Sequence, residues 1–202
     1  MRRVIVSNIV SLDGYHEGPD NAALDLPMDA AFDAYNRERI EAADAVLLGA
    51  RSYEGFVGYW PGVQHHPQPH ADDPMARAFS ADNRATSHRY DAVDVLVVSD
   101  RLVLSDDAAW RSRTRVVPRD RVRTALADGD GECVVFGSRT MWTGLLSQGL
   151  VDEIHLMVGP LALGSGTPVF DRRTDLQLLD VRRFAGSDNV VLVYTPSRPS
   201  PA

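Results

Sequence analysis

The chain has 202 residues, 44% of them hydrophobic, which suffices for one core of ordinary density or two very small ones. We therefore expect one domain over 1–196 and a disordered, proline-rich tail at 197–202. A net charge of −7 argues against a nucleic-acid-binding surface spread over the fold, but leaves room for a local basic patch that binds an anion. No apolar stretch reaches the ~18 residues of a membrane span and no signal sequence is evident, so we expect a cytoplasmic protein.

Strands and helices are predicted to alternate along most of the chain. Strands are expected at 4–12, 45–48, 94–100 and 132–136, and helices at 28–43, from near Ser52, at 119–128 and at 140–148. For 61–89 we expect a loop that acts as a mobile cover, with one short helical piece at 75–80. Strands alone follow, at 151–163, 176–184 and 190–196. This order predicts an α/β fold with a mixed, mostly parallel central sheet, an antiparallel C-terminal edge and flanking helices.

The same strand exit occurs twice in the sequence. "VLLGARS" at 46–52 and "VVFGSRT" at 134–140 each end a hydrophobic run on a glycine, a small residue, an arginine and a hydroxyl residue. A helix N-terminus has unpaired N–H groups and partial positive charge, and a glycine turn before it lets an anion approach the backbone. Two such exits that face each other would hold a pyrophosphate. The alternative is that Gly49 and Gly137 only permit tight turns.

The arginine and hydroxyl side chains of the two exits suit phosphate. Arg51 and Arg139 can form forked contacts with phosphate oxygens, and Ser52 and Thr140 can cap a helix or donate to a ligand. The ordinary reading of the two hydroxyl residues is that they are N-caps. Neither a GxxxxGK[ST] nor a GxGxxG motif opens the first strand and helix, so neither a P-loop nor a conventional Rossmann site is indicated.

A third candidate contact lies in "VVSDR", where Ser99 and Arg101 follow a strand end. Open α/β sheets usually bind ligands at such ends, and a 2′-phosphate on an adenosine ribose would suit these residues. The alternative is a solvated turn. For the histidines and aspartates at 65–73 we expect a solvated segment and no metal site, because prolines break the spacing that a metal needs. The single cysteine, Cys133, is expected to be a buried, inert thiol.

These motifs together resemble the dihydrofolate reductase fold and, within it, the family of the RibD C-terminal domain, the reductase domain of riboflavin biosynthesis. The resemblance covers nearly the whole chain and implies a three-layer α/β fold. Because one cysteine cannot supply the ligands of the zinc deaminase to which such domains are fused, it implies a stand-alone, bacterial-type member. The matching blocks, in chain order, are "SLDGY" at 11–15, 43–56, "YWP" at 59–61, "VVSDRL" at 97–102 and 149–170.

The resemblance implies NADPH as the cofactor. Its pyrophosphate would lie between the helices that follow the two exits, its 2′-phosphate near Ser99 and Arg101, and its nicotinamide beside Ile9 and Val10, with Gly14 in a loop that closes over the site. Phe136 and Gly137 stand where the family pattern has a glycine pair joined by a cis peptide. The residues assigned to the cofactor are Ile9, Val10, Gly14, Gly49, Arg51, Ser52, Ser99, Arg101, Phe136, Gly137, Ser138, Arg139 and Thr140.

Two carboxylates are candidates for handling the proton of a reduction. Asp29, in "LPMD", matches the acidic residue of dihydrofolate reductase that pairs with the pterin, and Asp13 belongs to the closing loop. Either could act if burial near the ring raises its pKa. The alternatives are that Asp29 is a first-turn acid favoured by the helix dipole and that Asp13 is a turn former.

The resulting hypothesis is an NADPH-dependent reductase of a small heterocyclic or carbonyl substrate, similar to dihydrofolate or to 5-amino-6-(5-phosphoribosylamino)uracil. The tryptophan that usually precedes the "LPMD" segment is missing, which argues against folate itself. One alternative is a non-catalytic NADP-binding module that serves as a sensor or assembly subunit. Another is a phosphosugar or nucleotide-processing enzyme that uses the two anion sites without hydride transfer. Family members often form homodimers, and 149–170 is the expected interface.

Overall fold

The computed structural model describes residues 1–19, 25–67, 69 and 76–197. The chain forms two compact units, the first made of Met1–Arg3 and Asp33–Ser138 and the second of the described residues in Val4–Phe32 and Arg139–Ala202. The single domain over 1–196 stays a prediction. Of the predicted tail at 197–202, all residues but Ser197 lie outside the described ones.

Four parallel strands form the centre of the first unit. In spatial order they are β5 (Thr114–Val117), β4 (Asp94–Val98), β3 (Ala45–Gly49) and β6 (Glu132–Phe136). Consecutive residues of a strand point to opposite faces of the sheet, yet Val46, Leu47 and Leu48 are all at most 1% exposed. Both faces of β3 are therefore covered, which explains why its sequence is a continuous apolar run and not an alternating one.

Helices and aromatic side chains surround these strands. The helices are α1 (Ala30–Ala42), α2 (Ala50–Val63), α3 (Ala81–Tyr90) and α4 (Val122–Ala127), and short 3₁₀ turns occupy Ala76–Phe79, Arg111–Arg113 and Arg119–Arg121. Tyr90 stacks on Trp110 with ring centroids 5.2 Å apart, and both side chains are at most 1% exposed. Cys133 on β6 is fully buried, as predicted, and burial raises the pKa of its thiol to about 12.

The prediction of a loop over 61–89 was wrong at both ends. Helix α2 continues through Pro61 to Val63, and α3 occupies Ala81–Tyr90. The inward face of α3 carries small polar residues, so its sequence shows no apolar period. Instead the helix is fixed by Ser80, whose side chain accepts a hydrogen bond from Asn83 N–H, and by Ser87, whose hydroxyl donates to the Trp60 carbonyl.

The second unit contains a mixed group of strands. In spatial order they are β1 (Arg3–Val10), β7 (Glu153–Val158), β10 (Val190–Pro196) and β9 (Leu176–Arg183), with β1 and β7 parallel and the other pairs antiparallel. Strands β2 (Tyr15–Glu17) and β8 (Thr167–Pro168) form a small antiparallel sheet, and α5 spans Arg139–Ser147. The predicted mostly parallel α/β architecture with an antiparallel C-terminal edge is confirmed. No helix of the described residues is both long and apolar enough to cross a membrane.

Candidate cofactor site and active-site carboxylates

The parts of the two strand exits that belong to the first unit, 46–52 and 134–138, lie side by side. Gly49 N–H donates a hydrogen bond to Ser138 Oγ at 3.0 Å, and Ser138 N–H donates to Ser52 Oγ at 3.2 Å. We call Gly49, Ser52, Gly137 and Ser138 the exit pair. Each exit thus supplies a backbone donor and a hydroxyl to the other, so the two turns hold each other in place.

The second exit has an unusual backbone. Gly137 has φ of +57° and Ser138 has φ of +53°, and Ser138 is the one non-glycine residue with positive φ in the described part of the chain. A Cβ atom on Gly137 would lie 3.7 Å from Ser52 Oγ, so the backbone conformation, not lack of space, requires glycine. For a non-glycine residue such as Ser138, a left-handed backbone costs ~1–3 kcal/mol, and such residues are typical of ligand-binding turns. The described residues contain no cis peptide bond, including the bond between Phe136 and Gly137.

The two exit hydroxyl residues are not helix caps. Helix α2 begins at Ala50 with Gly49 as its N-cap, and α5 begins at Arg139, so Ser52 and Thr140 both lie inside their helices. The N-cap interpretation was therefore wrong. The Ser52 hydroxyl contacts the other exit, and Thr140 is exposed.

The two exit arginines differ in their contacts. Arg51 is exposed and makes no hydrogen bond or ion pair with other described residues. Arg139, in the second unit, is half-buried and donates from Nε to the Val169 carbonyl at 3.3 Å. Each keeps guanidinium N–H groups that can donate to an anion.

The predicted third contact forms a tight turn. Ser99 is 8% exposed, and its Oγ accepts hydrogen bonds from the backbone N–H groups of Arg101 at 3.2 Å and Leu102 at 3.0 Å. The backbone N–H of Arg119 donates to Asp100 and, with the Arg119 side chain, lowers the pKa of that carboxyl. The Arg101 side chain is exposed. This geometry supports the turn reading, and a role in 2′-phosphate binding stays a prediction.

In the second unit, Asp13 organises a loop. Its carboxylate accepts hydrogen bonds from the Ser11 hydroxyl at 2.6 Å and from the backbone N–H groups of Leu163 at 3.0 Å and Gly164 at 2.7 Å. These hydrogen bonds, that of Ser11 first, lower the pKa of Asp13. Gly14 follows with φ of +84°, and its carbonyl accepts from Val169 N–H at 2.9 Å.

Asp29 is the N-cap of α1. One carboxylate oxygen accepts from Phe32 N–H at 3.0 Å, and the other accepts from the Ser187 hydroxyl. Burial works to raise the pKa of Asp29, but the hydrogen bonds outweigh it and the net shift is downward. The proton role proposed for Asp13 and Asp29 required a raised pKa, and neither carboxyl has one. Ile9 and Val10, on β1 in the same unit, are 5% and 3% exposed.

Sequence reasoning missed one buried carboxylate, Asp33, which lies on α1. Asp33 is 4% exposed, and Arg77 binds it through two hydrogen bonds, from Nε at 3.0 Å and from a terminal nitrogen at 2.9 Å. Burial raises the pKa of Asp33 in spite of Arg77. No local signal marked Asp33, because its partner Arg77 lies 44 residues further along the chain.

Part of the histidine-rich segment lies among the described residues. Of 65–73, only His65, His66, Pro67 and Pro69 are described, and His66 stacks on Phe79 with ring centroids 3.6 Å apart. Within the described residues no three His, Cys, Asp or Glu side chains are grouped so that they could hold a metal ion. The absence of a metal stays a prediction.

These strands and helices define an α/β protein of the dihydrofolate reductase-like type. A dihydrofolate reductase from Enterococcus faecalis complexed with NADP(H) superposes with a TM-score of 0.57 at 11% identity, covering 97% of each chain. A pyrimidine reductase-like protein from Corynebacterium diphtheriae superposes with a TM-score of 0.63 at 16% identity, covering 98% of this chain and 93% of the other.

The sequence defines the family within this fold. Residues 2–192 match the RibD C-terminal domain, and the chain belongs to that family. A relative in Bacillus subtilis, the uncharacterized protein YyaP, is 23% identical over 199 residues, which are 96% of this chain and 94% of the relative. The family resemblance inferred from the motifs is therefore confirmed.

Proposed function

We propose that this chain is an NADPH-dependent reductase and that the exit pair binds the cofactor's pyrophosphate. The observation that carries the proposal is the reciprocal contact of the exits, Gly49 N–H to Ser138 Oγ and Ser138 N–H to Ser52 Oγ, in a chain of a reductase family. Backbone N–H groups and hydroxyls on glycine turns before helices are the usual partners of phosphate oxygens. Because the N–H groups of Gly49 and Ser138 donate to the facing exit, the donors proposed for phosphate are the hydroxyl hydrogens of Ser52 and Ser138 and the first backbone N–H groups of α2. Arg51 and Arg139 add positive charge from the neighbouring positions.

NADPH, when bound, supplies the hydride, and the residues of the chain bind, orient and exclude water. The exit pair fits a phosphate group because its two turns are fixed by their mutual hydrogen bonds before binding. Ser99 and Arg101 are proposed for the 2′-phosphate. Ile9, Val10 and Gly14 of the second unit are proposed for the nicotinamide end, on the basis of the family resemblance.

For the substrate we propose a small heterocyclic or carbonyl compound similar to dihydrofolate or 5-amino-6-(5-phosphoribosylamino)uracil. Asp29 is the proposed contact, and its lowered pKa makes it an ionised acceptor at neutral pH that pairs with an N–H group of such a ring. The proton would then come from water or from the substrate's surroundings and not from Asp29.

The test has two stages. NADPH is first titrated while the fluorescence of the three tryptophans is followed, and quenching that saturates is expected. Oxidation of NADPH is then followed by its near-ultraviolet absorbance against a panel of carbonyl, pterin and aminopyrimidine compounds. Lack of any NADPH binding would contradict the proposal.

The second candidate is a non-catalytic NADP-binding module. It is favoured by the lowered pKa values of both Asp13 and Asp29, since neither is poised to donate a proton. Saturable NADPH binding without oxidation against the whole panel would support this module over the reductase.

We also propose that the protein is a homodimer. The interface expected at 149–170 stays a prediction, and β9, outside that segment, is a second candidate. Strand β9 exposes Leu178, Leu179 and Val181 at 50%, 48% and 48%. Three neighbouring apolar side chains on an outer strand are unfavourable in water and suit a second copy of the chain.

A further inference from the structure

A second candidate ligand site lies in the first unit, at the end of its strands opposite to the exit pair. A cleft of about 370 Å³ is lined by three arginines, Arg2, Arg113 and Arg115, and we call it the arginine cleft. Asp94 and Thr114, which begin β4 and β5, also line it. Strand β4 has five residues. At ~3.3 Å per residue Asp94 lies ~13 Å from the carboxyl end of β4 at Val98, and Leu96, the lining residue nearest to that end, lies ~7 Å from it.

Arg2 is mostly buried in the cleft. Its side chain is 16% exposed and packs against Gly129, where a Cβ atom would lie 2.2 Å from Arg2 Nε and would displace the side chain. Its Nη1 is buried without a hydrogen-bond partner among the described residues. The nearest carboxylate, Asp94, lies 4.0 Å from Nη2 and is itself 63% exposed.

The guanidinium groups of Arg113 and Arg115 also have N–H groups that make no hydrogen bond with a described residue. Arg113 donates from a terminal nitrogen to the Tyr90 carbonyl at 3.1 Å and to the Asp91 carboxylate at 3.5 Å, while its Nε is buried without a partner among the described residues. Arg115 is exposed, and one terminal nitrogen donates to the Ala125 carbonyl at 3.4 Å. Buried N–H groups of a charged side chain are costly to leave unpaired, and they mark a place where water or an ion belongs.

The pairing of the arginines favours an anion over water alone. Arg113 already forms an ion pair with Asp91, which lies 3.5 Å away and outside the lining, whereas Arg2 has Asp94 at 4.0 Å and Arg115 forms no ion pair with a described residue. The lining also contains two carboxylates, those of Asp94 and Asp128. The forked arrangement of arginine donors matches phosphate oxygens. The two carboxylates accept hydrogen bonds, which suits hydroxyl groups attached to the phosphate-bearing molecule.

We propose that the arginine cleft binds a small phosphorylated polyhydroxy compound, such as a sugar phosphate, at a site separate from the exit pair. Arg2 and Arg115 bind the phosphate group, Arg113 supports it, and Asp94 and Asp128 accept from the hydroxyls. The cleft has the volume of a small-ligand site, for which ~300–1,000 Å³ is usual. This site does not depend on the reductase proposal, since none of its residues belongs to the exit pair.

Isothermal titration calorimetry at constant ionic strength tests the site, with inorganic phosphate, glucose 6-phosphate and glucose as probes. Glucose 6-phosphate is expected to bind at least as tightly as inorganic phosphate, and glucose is expected not to bind. Arg2→Gln and Arg115→Gln should each weaken glucose 6-phosphate at least tenfold. Arg121→Gln, which changes an arginine 73% exposed and outside the cleft, should leave the affinity unchanged.

Equal affinities in all variants, or no binding of either phosphate, would overturn the proposal. Arg115 is exposed, so Arg115→Gln should keep the fold. If Arg2→Gln fails to fold, the affinity of Arg115→Gln for glucose 6-phosphate tests the proposal by itself. Repeating the titration with saturating NADPH separates the two sites. If glucose 6-phosphate no longer binds when NADPH is saturating, it had occupied the cofactor site, and this result would also overturn the proposal. Failure of NADPH to bind would count against the reductase alone.

Discussion

Arg139 is the proposed cofactor contact whose role is most directly measurable. Arg139→Ala should weaken NADPH binding by ~2 kcal/mol, about thirtyfold, because it would remove the proposed charge-assisted contact with phosphate. Fluorescence titration checks this, with Arg173→Ala as control, since Arg173 is 88% exposed and lies in the same unit. Unchanged affinity in Arg139→Ala would remove Arg139 from the site.

His16 makes the stability of the protein depend on pH. Burial, opposed by Glu17 and assisted by Arg139, lowers the pKa of His16. The unfolded chain therefore binds the proton more readily than the folded one. The stability that neutral His16 contributes is present above the ordinary histidine pKa of ~6.5 and is lost as the pH falls through the lower folded value.

Urea unfolding at about pH 7.5 and about pH 5.5, on either side of the ordinary histidine pKa, measures the effect. The free energy of unfolding should fall more between these values in the native protein than in His16→Gln. His88→Gln, which changes an exposed histidine on α3, should keep the native difference. The same fall in His16→Gln as in the native protein would show that other groups cause it.

At the scale of elements, the Arg77–Asp33 pair ties the 3₁₀ turn Ala76–Phe79 to α1. Arg77→Ala would leave the Asp33 carboxylate buried without its partner, which costs ~3–5 kcal/mol for fully buried pairs. Because Arg77 is 46% exposed, we expect a loss of ~2 kcal/mol, reduced by solvent screening. Adding Asp33→Asn to Arg77→Ala should restore part of the stability in urea unfolding. No recovery in the double variant would mean that the loss comes from packing and not from the charge.

The elements also show which features the sequence alone predicts. Both exits were predictable because a glycine after an apolar run is a local signal, and the structure does place Gly49 beside Ser138. Helix α3 was not predictable, because it is stabilised by the cap at Ser80 and by the hydrogen bond of Ser87 to Trp60, which lies 27 residues earlier in the chain. Asp33 was missed for the same reason: its burial depends on Arg77, which lies 44 residues further along the chain.

At the scale of the whole molecule, the proposal predicts that formation of the dimer depends on the apolar side chains of β9. A homodimer should be seen by light scattering, and Val181→Lys should shift the mass to that of a monomer because it places a charge within the apolar face. Val103→Lys, at an exposed apolar residue of the first unit, should leave the mass unchanged. A monomer in the native protein would contradict the proposal.

The buried thiol of Cys133 provides a built-in reporter. With no exposed surface and a pKa of about 12, it gives alkylating reagents no thiolate to attack while β6 is in place. Because it is the single cysteine of the chain, any alkylation records one event, the opening of the structure around β6. The rate of alkylation, followed by mass spectrometry with and without bound ligands, therefore measures how often the first unit opens, and no added label is needed.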